Sequence, residues 1–181
     1  MKSLLGDTSY AWPAGPWVRA NFVSTVDGAA QGPDGRSGTI NNEADVALFQ
    51  QLRSTADVIL VGAGTARTEK YGPVGKPIVV LAHGFPEDLA WATIASGEPR
   101  AVVTGLFEDG YQHVLVEGGP HVLRQLLEAG VVDEVCTTTT PMLIAGDHLR
   151  ITAGEPLSVD VTLASLAESD GTLFARWLVN R

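Results

Sequence analysis

A single cysteine, Cys136, in 181 residues excludes an internal disulfide and most thiolate zinc sites; its place in the run VVDEVCTTTT marks it as core filler. Basic residues are also scarce. The 12 Lys and Arg stand against 21 Asp and Glu, a net charge of −9, which argues against non-specific nucleic-acid binding. No apolar run approaches a membrane span, and the opening MKSLLGDTSYAWPAGPW has no signal-peptide core. The expected setting is therefore the cytoplasm. With hydrophobic content of 45% and charged content of 18%, the chain suits one compact domain, expected over 17–181 behind a mobile, Pro/Gly-rich segment 1–16. No internal repeat, low-complexity tract or linker divides it.

What is present is organised around His113 to Gly130, HVLVEGGPHVLRQLLEAG. Val114-Leu115-Val116 reads as a buried strand, Pro120 suits a first helical turn, and Gly130 suits the position just past the helix end. Val122, Leu123, Leu126 and Leu127 make one apolar stripe, so this helix packs back on the sheet. A strand turning through Gly118-Gly119 into a helix leaves free N–H groups with no Cβ in the way. Taken alone, the motif is as good a structural turn as a phosphate cradle.

Elsewhere, Trp17 to Val26 reads as a strand ending at the Asp27-Gly28 turn, and Gly32 to Gly38 as a loop. Asn42 is an N-cap with Asp45 three residues on, opening a helix to about Ser54 whose buried stripe is Leu48, Phe49, Leu52 and Ala56. Arg53, four residues after Phe49, sits at the edge of that stripe. It either snorkels from the core or clamps an anion. Val58 to Val61 is a second buried strand, and Gly62-Ala63-Gly64-Thr65 repeats the strand-to-helix turn. Thr65 reads as an N-cap. Pro77 to Ala82 and Ala101 to Thr104 read as short strands, and Val131 to Thr140 as a strand rich in β-branched residues. Ser158 to Val179 reads as a hairpin about Asp170-Gly171. Alternating units followed by a hairpin give a mixed sheet flanked by helices. Residues 36–76 carry a net +1, leaving −10 elsewhere, so an anionic ligand would be drawn to that segment.

Asn21-Phe22-Val23-Ser24-Thr25-Val26-Asp27-Gly28, Gly35-Arg36-Ser37-Gly38, Leu52-Arg53, Val61-Gly62-Ala63-Gly64-Thr65, Val116-Glu117-Gly118-Gly119-Pro120 and Val131-Val132-Asp133-Glu134 follow in an order that resembles the pyrimidine reductase family of riboflavin biosynthesis, from about residue 17 onward. The resemblance implies a dihydrofolate-reductase-like three-layer α/β/α sandwich: a mixed, mostly parallel sheet with a C-terminal antiparallel hairpin and NADPH across the strand ends. It implies reduction of the ribosyl group of a phosphorylated ribosylaminopyrimidine to a ribityl chain, in a homodimer, with no metal. By the same resemblance Val23, Thr39, Gly62, Ala63, Thr65, Glu69 and Thr104 lie on the cofactor side, and Gly118, Gly119, Pro120, His121, Val122 and Leu123 hold the pyrophosphate. Asn21, Ser37, Arg53, Lys76 and Glu117 face the substrate, with Arg53 and a residue near Lys76 toward its phosphate. Asp27 is placed beside the nicotinamide as the catalytic residue.

Each assignment has a plainer rival. Asp27 before Gly28 is a common turn residue, and Glu117 at a strand end can serve the helix that follows. His113 and His121 read as non-catalytic, and His83 and His148 as loop residues. The chain departs from the family pattern at Asn21, where many members carry lysine, at Ala82, where serine is frequent, and in short connections at 71–75 and 105–110. A deaminase motif of the H-x-E with P-C-x-x-C type cannot be built from one cysteine. Two further readings stand beside the reductase: reduction of a pterin with Asp27 bonded to its ring, and an NADPH-binding protein without turnover.

Overall fold

The computed structural model describes residues 1–180. In chain order the elements are β1 (Lys2–Leu5), β2 (Trp17–Thr25), α1 (Glu43–Thr55), β3 (Val58–Gly62), α2 (Ala63–Thr68), β4 (Ile78–Leu81), β5 (Thr93–Ala95), α3 (Pro99–Glu108), β6 (His113–Val116), α4 (Pro120–Glu128), β7 (Glu134–Thr140), β8 (Val161–Ser169) and β9 (Thr172–Val179). All nine strands form one sheet in the order β1-β8-β9-β7-β2-β6-β3-β4-β5. From β7 to β5 the neighbours are parallel; β9, β8 and β1 add antiparallel at the other edge.

The two faces follow from side-chain alternation. Val58, Leu60, Val114 and Val116 turn toward α3 and α4, where they pack with Val103, Leu106, Leu123 and Leu126. Leu115 and Cys136 turn the other way, against Leu48, Leu52 and Ala56 of the α1 segment. Ile59 and Val61 share that second face and meet Ala66 of α2. The sheet is therefore covered on both sides, and Cys136 is core filler as expected.

Local signals account for the element ends. The Asn42 side chain accepts from the Asp45 N–H at 3.0 Å, capping α1. Gly130, with φ of 62°, ends α4 in the left-handed conformation. Asp170 and Gly171, with φ of 51° and 80°, make the two-residue turn between β8 and β9, as Asp-Gly favours.

Two expectations are corrected. Ala101 to Thr104 is not a strand but lies inside α3; Pro99 opens the helix, and Val103 and Leu106 bury one face at a spacing only a helix provides. The short strand of this region is β5, and the supposed connection 105–110 is the end of α3 with its cap. Residues 1–16 are not a mobile lead-in: β1 pairs with β8, and Tyr10 is buried among core residues. Arg19 and Arg176 hold the segment, donating to the carbonyls of Tyr10, Ala11 and Asp7. Among the described residues no helix is long and apolar enough to cross a membrane.

Candidate active site

The chain steps outward from β2 to β3, β4 and β5, then returns to insert β6 beside β2. Such a reversal opens a crevice at the carboxyl ends of the strands. A cavity of about 910 Å³ occupies it, lined by the ends of β2, β3, β4 and β6, by α1, and by the first turn of α4.

The two glycine turns read from the sequence stand side by side on the neighbouring parallel strands β3 and β6. The Gly62 N–H donates to the Gly118 carbonyl at 2.7 Å. A Cβ on Gly119 would lie 2.5 Å from Thr65 Oγ1, and one on Gly62 would lie 2.8 Å from Val122 Cγ2. At Gly119 the obstacle is the Thr65 side chain; at Gly62 it is the Val122 side chain, with the Gly119 backbone nitrogen 3.2 Å away. Thr65 is not the N-cap of α2; Gly62 is, and the Thr65 hydroxyl abuts the second turn. The Gly118–Gly119 peptide is cis.

On the α1 side of the sheet, Arg53 grips Glu117 with two hydrogen bonds, Nε to Oε1 at 2.7 Å and Nη2 to Oε2 at 2.6 Å. The Tyr71 hydroxyl donates to Glu117 Oε2 at 2.8 Å. The guanidinium carbon lies 4.2 Å from the centre of the Phe49 ring and 5.1 Å from that of Tyr71. Burial pulls the Arg53 pKa down, but hydrogen bonding and charge from Glu117 outweigh it and hold it above its ordinary value. Burial, joined by the Glu117 charge, pushes the Tyr71 phenol well up. Both groups stay protonated across the physiological range. Arg53 Nη1 takes no part in the pair.

Asn21 and Val23 of β2 line the cavity, as do Ser37, Ala63, Thr65, Glu69, Gly118, Pro120, His121 and Val122. Glu69 Oε1 accepts from the Ser37 N–H at 2.8 Å, fixing the glycine-rich loop at the rim.

Five expected residues lie elsewhere. Asp27 is in a separate small hollow with His148 and Arg150, where its carboxylate accepts from the Thr25 hydroxyl and from the N–H groups of Ile144 and Ala145 at 3.0 and 2.7 Å. It ties two loops together. Lys76 donates to the carbonyls of Ser54 and Ala56 at 2.9 and 2.6 Å, closing the C-terminal end of α1. The lysine of that segment that lines the cavity is Lys70. Thr39 turns to Asp34 and the Arg36 carbonyl, Thr104 is exposed on α3, and Leu123 is core.

Tyr71, Lys70 and Asp45 are cavity residues that the sequence reading did not place there. Asp45 and Arg53 flank Phe49 at four-residue steps on one helix, a spacing visible in the sequence.

Six parallel strands, two abutting glycine turns and a cavity over their ends define a dihydrofolate-reductase-like α/β domain. The family described as RibD C-terminal domain matches residues 16–173, and the chain belongs to it. It is similar to the riboflavin biosynthesis protein RibD of Mycobacterium tuberculosis, 26% identical over 150 residues, which cover 72% of this chain and 44% of that protein. The chain thus spans less than half the length of that relative. It is also similar to the 2,5-diamino-6-ribosylamino-4(3H)-pyrimidinone 5′-phosphate reductase of Archaeoglobus fulgidus, 23% identical over 191 aligned positions, covering 77% of this chain and 87% of that protein. Among solved structures, a pyrimidine reductase-like protein from Corynebacterium diphtheriae shares the fold with a TM-score of 0.80 at 24% identity, over 92% of each chain. Dihydrofolate reductase of Enterococcus faecalis, solved with NADP(H), shares it with a TM-score of 0.65 at 15% identity, over 91% of this chain and 97% of the other.

Proposed function

We propose that this chain is an NADPH-dependent reductase that converts the ribosyl group of a phosphoribosylamino-pyrimidine to its ribityl form. The observation that carries the reading is the joining of two abutting glycine turns and a buried Arg53–Glu117–Tyr71 cluster in one cavity. The turns suit a dinucleotide: the nine-residue α4 opens at Gly119 with no side-chain cap, and first-turn N–H groups attract a pyrophosphate. A nicotinamide held there would supply a hydride. The net change to be catalysed gains a hydride at C1′ of the ribosyl group and a proton at O4′, with the C1′–O4′ bond broken.

The protein's own contribution is position and exclusion of water. Glu117, held by Arg53 and Tyr71, presents a fixed carboxylate to sugar hydroxyls, while Arg53 Nη1 and Lys70 offer positive charge to the substrate phosphate. In this reading the enzyme is a cytoplasmic homodimer; Leu4 and Leu5 on the edge strand β1 and Val161 on its neighbour β8 are exposed and give that contact apolar side chains.

Optical measurement of NADPH oxidation tests the reading, with the phosphoribosylamino-pyrimidine and dihydrofolate offered in parallel. Turnover of the pyrimidine supports it. Reduction of dihydrofolate alone points to the pterin reading, and NADPH binding with neither reduced points to a silent binding protein.

A further inference from the structure

Tyr71 owes its place to the way α2 ends. The Tyr71 N–H donates to the Ala66 carbonyl at 2.8 Å and the Lys70 N–H to the Arg67 carbonyl at 3.1 Å, while Lys70 holds the left-handed conformation with φ of 55°. Two such bonds about a left-handed residue close a helix and turn the chain. On either side of Lys70 the side chains reach different walls of the cavity. Glu69 accepts from the Ser37 N–H of the glycine-rich loop, and the Tyr71 hydroxyl donates to Glu117 Oε2, both at 2.8 Å. The Tyr71 ring packs against the core of Ile59, Val61 and Ile78, so the hydroxyl is the part of the residue that enters the polar cluster.

Of the two groups that hold Glu117, Arg53 stays a cation. The proton of the Tyr71 hydroxyl is therefore the one in this cluster that can move. At rest, burial and the Glu117 charge hold it tightly. It is released when positive charge appears beside Glu117, and opening the ribosyl ring creates that charge. As the C1′–O4′ bond breaks, its electron pair goes to O4′, and the lone pair of the attached amino nitrogen forms a C1′=N bond, giving an iminium cation. A cation facing Glu117 offsets the carboxylate charge at the moment when O4′ needs a proton.

Resting on the reductase reading above, we propose that Tyr71 is the general acid of the reduction: its hydroxyl gives a proton to O4′ as the C1′–O4′ bond breaks, while Glu117 faces the iminium cation formed at C1′. A phosphate held by Lys70 and Arg53 brings the sugar to the residue that follows the first in sequence and lies beside the guanidinium of the second. Ring opening thus precedes reduction. The iminium carbon is then open to the hydride, whose arrival returns the lone pair to nitrogen. Tyr71 regains its proton from water, and this is the single proton that the overall change consumes.

Tyr71→Phe removes the hydroxyl and keeps the packed ring. The variant and the unsubstituted chain are compared on the phosphoribosylamino-pyrimidine, with NADPH unlabelled or deuterated at C4 of the nicotinamide. The expected result is a fall in kcat of at least about 100-fold with KM within about threefold, as loss of a general acid gives. The deuterium effect on kcat should also shrink toward unity, because ring opening and not hydride transfer then limits the rate. A loss of less than about fivefold overturns the proposal, and so does a large loss with the deuterium effect undiminished, since Tyr71 would then only orient the sugar. A second measurement needs neither the variant nor a hydride. The unsubstituted protein loaded with NADP⁺ should interconvert the α and β anomers of the substrate, labelled at C1′ with carbon-13, faster than buffer does, because the open iminium closes on either face. No acceleration overturns the proposal, while NADPH oxidation by the same protein leaves the reductase reading standing. Anomer interconversion without NADPH oxidation supports the ring-opening role and removes the reductase reading. If the protein does neither, both fall.

Discussion

Arg53 and Glu117 are 64 residues apart in sequence, yet two hydrogen bonds of 2.7 and 2.6 Å lock them together, with the Glu117 side chain 1% exposed and Arg53 20%. A charge pair this enclosed depends on both members. Glu117→Ala leaves a half-buried guanidinium uncompensated, and the expected loss is about 3 kcal/mol of unfolding free energy by urea titration. Arg53→Ala is expected to weaken the phosphorylated substrate at least tenfold more than NADPH; equal losses for both ligands would refute its place on the substrate side.

The close approach of Thr65 to Gly119 makes a prediction about backbone fit. Gly119→Ala should destabilise by about 1–3 kcal/mol, the usual cost of overpacking, and should weaken NADPH binding. Adding Thr65→Ala removes the Oγ1 that the new Cβ would meet, leaving only a distance of 3.8 Å to Thr65 Cβ. The double variant should therefore regain most of the stability. Thermal unfolding of the two variants side by side checks this, and no recovery would mean that the constraint lies elsewhere.

These turns were legible in the sequence because their causes are local. A buried strand, paired glycines and an amphipathic helix fall within 18 residues of each other, and the same holds for Asn42 at the start of α1 and Asp170-Gly171 in the final turn. Ala101 to Thr104 reads as a strand for a related reason. Its β-branched residues favour a strand in isolation, but burial of Val103 and Leu106 against α4 and the sheet decides for a helix. Long-range partners left no local trace: β1 finds β8 some 160 positions away, and Lys76 turns from the cavity to the carbonyls that end α1. Asp45 reads as a capping partner only, and its place in the cavity lining emerges when the face shared with Phe49 and Arg53 is followed.

Glu134 has no role in the cavity, but it should matter greatly for folding. It is fully buried and receives Arg19 Nε at 2.9 Å, Arg176 Nε at 2.5 Å and Trp17 Nε1 at 3.1 Å. Burial raises the Glu134 pKa, and the two arginines more than offset that, leaving it below the ordinary carboxylate value. Glu134→Gln leaves two arginines facing a neutral amide, and a loss of about 3–5 kcal/mol is expected. The arginines also hold the N-terminal segment through Tyr10, Ala11 and Asp7. Amide exchange across residues 2–11 should accelerate in this variant, and unchanged protection there would separate the ion cluster from the anchoring.

Asp27 carries a pH prediction. Its hydrogen bonds, first from the Thr25 hydroxyl and then from the Ala145 N–H, lower its pKa to about 2. A carboxyl lowered on folding stabilises the protein above its unfolded pKa of about 3.9 and loses that contribution as pH falls toward 2. The stability gap between the unsubstituted protein and Asp27→Asn should therefore be constant above about pH 5 and shrink between pH 4 and 2. Because Asp27 lies outside the main cavity, kcat for the ribosylaminopyrimidine should be retained in the variant. A fall of a hundredfold at unchanged stability would return Asp27 to the chemistry.

Lys76 and Lys70 separate the sequence expectation from the structure most cleanly. Both lie in the segment where positive charge balances an otherwise acidic chain, and charge alone cannot say which one meets the substrate phosphate. Lys76 Nζ is committed to two carbonyls at the C-terminal end of α1, where a cation is favoured by the helix dipole. Lys70 is exposed at the cavity rim and forms no ion pair among the described residues. Lys76→Ala should cost about 0.5–1 kcal/mol of stability and leave KM for the phosphorylated substrate within twofold. Lys70→Ala should leave stability unchanged and raise that KM about tenfold, with a smaller effect on NADPH. Repeating both at high salt adds a second reading: screening should erase the Lys70 effect on KM, because that effect is long-range attraction through water, while the Lys76 effect on stability persists, because it rests on direct hydrogen bonds to backbone. If instead Lys76→Ala raises KM and Lys70→Ala does not, Lys76 and not Lys70 is the lysine that meets the substrate phosphate.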